Sequence, residues 1–216
     1  MGSFALGSRI YLFGGEVGLH HEVDFVHQGR SSTQRISNKV CFFDTAASVS
    51  SSPSSPLSVA PPMQGGKRSP LAIHVHGMVY VISDLPSLHT YYREEQPLFE
   101  VFDPQSDEVE GKWSPLPRPA FYRLSSYHES DDINRVAMIV SHAVFGSRIF
   151  FFTNKKDPTY AFNVNYRRWT SLKVYNGCNT HLPFREVVTP LFDHVWAAID
   201  TSPCRMSPIS TFDLCH

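Results

Sequence analysis

At 216 residues and a formal net charge of -1 at pH 7, the chain suits one large domain or two small ones. Lysines and arginines never stand more than two together, so no basic field points to nucleic acid or an anionic membrane surface. The four cysteines, Cys41, Cys178, Cys204 and Cys215, form no Cys-x-x-Cys pair and no zinc-type spacing with histidine, as expected of a chain in a reducing compartment.

The amino terminus runs into a strand pattern without the apolar core of a secretory signal, and no stretch is long enough to span a membrane. A cytoplasmic or nuclear location is the expectation. The first pattern, Gly7-Ser-Arg-Ile-Tyr-Leu-Phe13, returns as Gly146-Ser-Arg-Ile-Phe-Phe-Phe152, with a looser copy at His76-Gly-Met-Val-Tyr-Val-Ile82. Each is followed by a second apolar run closing on an acidic or amide residue: Asp44, Asp103 and Asn163. Tyr11 and Tyr80 stand 69 residues apart, and Tyr80 and Phe150 stand 70 apart. Self-similarity at such a period marks a propeller, solenoid or array.

Taken in order, residues 1–65 make a first unit whose third strand ends at Asp44. It carries a long loop over 16–38 and a Ser/Pro-rich insertion over 48–58, which is too polar to order itself. Residues 66–119 make the second unit, with strands expected over Ser69–Val75, Met78–Ile82, Leu98–Phe102 and Lys112–Leu116. Residues 133–182 make the third, with strands over Arg135–His142, Arg148–Thr153, Thr159–Val164 and Arg168–Leu172. Residues 184–200 begin a fourth, and 201–216 read as an irregular tail. Four antiparallel strands per unit is the blade of a β-propeller, so the fold class is all-β: a partial propeller of about three blades plus part of a fourth.

Gly14-Gly15 after the second strand, the pair Phe43-Asp44, and Trp113-Ser-Pro-Leu-Pro117 together resemble Kelch repeats of the galactose oxidase/Kelch superfamily. The resemblance covers most of the chain but is degenerate. Ser83-Asp84 and Thr153-Asn154 replace the glycine pair, and Leu57 stands where the first unit would carry its tryptophan. It implies a Kelch-type propeller with Gly14, Gly15, Asp44, Asp103, Trp113 and Trp169 as structural repeat residues, the tryptophans between blades. Because a ring takes four to eight blades, a piece of a longer propeller is the expectation.

The resemblance also implies a non-enzymatic protein-interaction module, such as the substrate-recognition half of a ubiquitin-ligase system. Its expected partner is an unidentified protein, not nucleic acid or membrane. Contacts are expected on the loops after the second strands, at Tyr91, Tyr92 and Arg93 and at His20, His21, Arg30 and Arg35, since binding residues concentrate on long loops of a rigid scaffold. Ser52-Pro53 and Ser55-Pro56 have the form of proline-directed phosphorylation sites.

Catalytic signatures are missing: there is no Gly-x-Ser-x-Gly, phosphate loop, Gly-x-Gly-x-x-Gly or His-Glu-x-x-His. No catalytic residue, metal ligand or cofactor is assigned. His20-His21-Glu22-Val23-Asp24 and the pair His74/His76 have ligand types but no fixed third ligand, and strand packing accounts for His74 and His76 more simply. The alternatives are a metal-dependent propeller enzyme of the galactose oxidase or specifier-protein type and a truncated, non-functional product.

Overall fold

The structure, a computed structural model, describes residues 1–17, 35–46, 57–83, 96–106, 111–122, 137–154, 159–172, 186–190, 195–200 and 210–213. The chain divides into two compact units, Met1–Arg118 and Pro119–His216. Among the described residues regular structure is β, apart from a single 3-10 turn at Ala120–Tyr122.

In the first unit, β1 (Gly2–Leu6), β2 (Arg9–Phe13), β5 (Val40–Asp44) and β6 (Leu57–Ala60) form one antiparallel sheet in that order. A short ribbon of β3 (Glu16–Val17) and β4 (Arg35–Ile36) stands at the base of the expected 16–38 loop. The second sheet runs β10 (Lys112–Pro115), β9 (Phe99–Asp103), β8 (Met78–Ser83), β7 (Pro70–Val75). Each is an up-and-down meander, which tight turns permit only between antiparallel neighbours. The turns repeat too: Gly7, His76 with Gly77, and Gly146 all hold left-handed φ values, where a side chain normally clashes.

In the second unit, β11 (Ile139–Phe145), β12 (Arg148–Thr153), β13 (Thr159–Asn163) and β14 (Arg168–Leu172) form the third four-stranded sheet. β15 (Glu186–Pro190), β16 (Val195–Asp200) and β17 (Ser210–Asp213) form a three-stranded sheet. Two expectations are corrected here. The fourth unit does not stop at 200, because Ser210–Asp213 pairs with Val195–Ala198 as an edge strand. β11 extends to Phe145 rather than ending at His142, since Phe145 opposes Arg148 across the Gly146-Ser147 turn.

Strand register shows that the three four-stranded sheets are one pattern. Ile10, Phe43 and Leu57 lie side by side across β2, β5 and β6. Val79, Phe102 and Trp113 hold the same row in the second sheet, and Ile149, Phe162 and Trp169 in the third. Leu57 thus does occupy the tryptophan's place. The acidic or amide residue closing each third strand has a local task. Asp44 Oδ1 accepts from the Ala46 N–H at 3.0 Å, Asp103 Oδ1 from Gln105 N–H at 2.9 Å, and Asn163 Oδ1 from Asn165 N–H at 3.0 Å. These are Asx turns, in which the side chain imitates a backbone carbonyl and folds the chain toward the fourth strand.

The first unit's core lies between its two sheets. Phe4, Tyr11, Phe13, Val40, Phe42 and Ala60 from the first meet Val79, Val81, Phe102 and Trp113 from the second. Trp113 is buried, packs its ring 4.9 Å from that of Phe102, and donates its indole N–H to Pro61 O at 3.0 Å. It therefore stands between the two sheets of the first unit. Trp169 is only partly buried, against Phe121, Phe151 and Phe162 of its own unit. Trp113→Ala should therefore cost about 3–5 kcal/mol, and Trp169→Ala clearly less, in urea unfolding monitored by circular dichroism.

His142 opposes Phe151 on β12, and burial lowers its imidazole pKa below the usual 6.5. Below that pH the unfolded chain binds the proton more readily than the folded one, so stability is full above 6.5 and falls as pH drops through the folded value. His142→Gln should flatten this part of the pH profile of the urea midpoint.

Candidate functional site

The segment between the first two sheets, Pro61 to Ser69, has no regular structure, yet it collects the bases of both long loops. The left-handed glycines Gly14 and Gly15, φ +63° and +93°, turn the chain out of β2. Gly15 N–H donates to Lys67 O at 2.8 Å, Ser37 N–H to Gly15 O at 2.9 Å, and Lys67 N–H to Ser37 O at 3.3 Å. Both ends of the first loop are thus tied to Lys67. Arg68 adds an ion pair with Glu16.

The same two residues hold the second loop. Arg68 O accepts from the Ser83 hydroxyl at 2.6 Å, where that loop begins, and Lys67 Nζ donates to Pro97 O at 2.8 Å, where it ends. Lys67 Nζ also donates to Gly65 O at 2.9 Å and pairs with the Glu100 carboxylate. Glu100 accepts in turn from Gln64 N–H at 2.7 Å and Gly65 N–H at 3.2 Å. Both side chains are fully buried.

Two glycines make this packing possible. A Cβ on Gly65 would stand 2.6 Å from Pro97 O, and one on Gly66 2.7 Å from Ile36 O. One glycine touches the second loop's root and the next touches the first's, so the backbones approach more closely than any side chain allows.

Electrostatics make the clasp structural rather than reactive. Burial pushes the Lys67 ammonium below its ordinary pKa, and the charge and hydrogen bond of Glu100 oppose that shift. Its three bonds, to Gly65 O, Pro97 O and Glu100, use all three ammonium protons. With no solvent access, it offers nothing to a substrate.

The expected site residues divide accordingly. Gly14 and Gly15 form the turn out of β2, Asp44 and Asp103 close Asx turns, Trp113 lies between the first unit's sheets, and Trp169 packs against Phe121, Phe151 and Phe162 of its own unit. Arg35 is placed in the β4 root strand, opposite Val17. Tyr91, Tyr92, Arg93, His20, His21, Arg30, Ser52 and Ser55 lie outside the described residues. His74 and His76 do not share a strand face: β7 ends at Val75, and His76 sits in the turn with φ +49°. His74 stays exposed, with its ring edge-on to Phe4 at 5.9 Å. Among the described residues, no group of three His, Cys, Asp or Glu is placed to hold a metal.

Sequence reasoning missed the Gly65-Gly66-Lys67-Arg68 clasp. Its signal was a second Gly-Gly followed by two cations between strand patterns, which reads as an ordinary polar linker until Glu100 is known to face it.

Fold and site together define a chain of repeated four-stranded antiparallel sheets whose first unit ties Gly15, Ser37, Ser83 and Pro97 at one knot. Residues 19–215 match the model of a family described as Protein of unknown function (DUF1668), and the chain belongs to that family. No curated protein matches it.

The clasp is open to a direct test. Lys67→Met strands a buried carboxylate and should cost about 3–5 kcal/mol, while Lys67→Met with Glu100→Leu should fall short of the sum of the single losses by on the order of 0.5–3 kcal/mol. Limited proteolysis of Lys67→Met should show cleavage within 18–34 and within 84–95 rising together, because one knot holds both roots.

Proposed function

We propose that the chain is a non-catalytic protein-recognition module on a Kelch-like propeller scaffold, with the two clasped loops as its contact surface. Repeated four-stranded sheets in matched register, and the Asx turn after each third strand, support the scaffold. The observation that carries the function is the double anchorage at Lys67 and Arg68. A buried ion pair is costly to assemble, and here it serves to hold together the roots of two loops distant in sequence. Rigid roots lower the ordering cost a loop meets on binding, which is what a recognition surface needs. Tyr91, Tyr92 and Arg93 on one loop and His20, His21, Arg30 and Arg35 on the other supply side chains suited to protein contacts. The partner is a protein, in keeping with the substrate-recognition half of a ubiquitin-ligase system.

Quantitative affinity purification separates this reading from its rivals. Tyr91→Ala/Tyr92→Ala/Arg93→Ala, and a Gly-Ser replacement of residues 19–31, should each deplete the same set of co-purifying proteins while leaving the melting temperature near wild type. A set of interactors unmoved by both changes would overturn the assignment.

A further inference from the structure

The third sheet breaks a charge pattern that its sister sheets keep. In the first sheet Arg9 opposes Asp44 and pairs with it at 3.7 Å. In the second, Asp103 stands opposite Lys112. The same row of the third sheet runs Arg148, Asn163, Arg168, so a neutral amide takes the acid's place between two arginines. Residues 139–153 and 159–172 carry Arg148, Arg167 and Arg168 but no Asp or Glu. Asn163 keeps the turn-forming part of the acid's task and drops its charge. Its Oδ1 accepts from the Asn165 and Tyr166 N–H groups at 3.0 and 3.1 Å.

The turn fixed in this way presents Tyr166 and Arg167 and leads into Arg168. Tyr166 is 80% exposed, and both arginines are exposed beside it. Among the described residues neither Arg167 nor Arg168 makes an ion pair. Val164 N–H donates to Ser147 O at 2.9 Å, which ties this turn to the one between β11 and β12. Arg167 holds φ +50°, whereas the second sheet carries Gly111, φ +84°, just before Lys112. A side chain at such a φ costs conformational energy that glycine avoids, and a carboxylate at Asn163 would have stabilised the row. The third sheet forgoes both and gains uncompensated positive charge around an exposed ring.

We infer that this turn end of the third sheet docks an acidic peptide segment of a partner protein. Guanidinium groups hold carboxylates through paired N–H donors, and tyrosine and arginine are the side chains on which protein contacts most often depend. Charge complementarity selects an acidic occupant. Nucleic acid asks for a longer run of phosphate contacts than three arginines at one sheet end provide. The site shares no residue with the clasped loops, so it goes beyond the recognition surface proposed above and does not rest on it.

Fluorescence anisotropy of a labelled peptide of alternating glutamate and leucine, titrated with the full chain to about 300 μM, tests the site. The peptide should bind, more weakly as salt rises from about 0.05 to 0.5 M, and its glutamine-for-glutamate counterpart should not. Asn163→Asp returns the acid to the row while an Asp oxygen can still form the turn. It should keep the melting temperature and weaken binding about two- to fivefold. Arg167→Gly should weaken binding without lowering the melting temperature, and Arg167→Glu/Arg168→Glu should weaken it at least about tenfold. Absent binding, equal binding of the glutamine peptide, or tighter binding of a short polyuridylate would overturn the inference. So would an affinity indifferent to Asn163→Asp and to the arginine changes. Tyr91→Ala/Tyr92→Ala/Arg93→Ala should leave this affinity unchanged, so failure here leaves the loop surface standing.

Discussion

In the first unit the Lys67–Glu100 pair constrains much else. Taking two charges out of water costs several kcal/mol for each ion, and only near-complete satisfaction offsets it. The ammonium finds two carbonyls and a carboxylate; the carboxylate finds that ammonium and two backbone N–H groups. This set holds the segment from Pro61 to Ser69 in place, with Gly65 pressed to Pro97 O and Gly66 to Ile36 O. Gln64 is held as well: its side-chain amide donates to Trp113 O at 3.2 Å.

That linker also sets how the two sheets meet. Pro61 O receives the Trp113 indole N–H, and Asn38 and Met63 exchange hydrogen bonds of 3.0 Å. These contacts join the residues leading into β5, the linker and β10 beside the aromatic core of Phe4, Tyr11, Phe102 and Trp113. Hydrophobic area alone would tolerate sliding of one sheet over the other, because it is non-directional. The polar contacts at the ends of the sheets supply the direction.

Much of the strand plan was legible in residues. Arg148–Thr153 and Arg168–Leu172 agree with the structure, because alternation and aromatic enrichment are local signals. Asp44, Asp103 and Gly14-Gly15 were legible for the same reason: Asx turns and left-handed glycines are chemistry over a few residues. Ser210–Asp213 was not, since a short edge strand takes its pairing from a neighbour rather than from its own pattern. His76 misled because an alternating pattern cannot show where a strand ends and a turn begins. Lys67 drew no reading, for a lysine beside an arginine looks like solvated surface. Its burial depends on Glu100, 33 residues away.

The sequence by itself determined the repeat, the strand periodicity and the turn chemistry, all of which rest on short-range sterics and hydrogen bonding. It also placed Leu57 where its sister units carry tryptophan. Only the tertiary structure decided that Lys67 and Glu100 meet and that one knot ties Gly15 and Ser37 to Ser83 and Pro97. Those outcomes turn on what stands across from a residue, and no spacing along the chain encodes the desolvation that makes such pairs necessary.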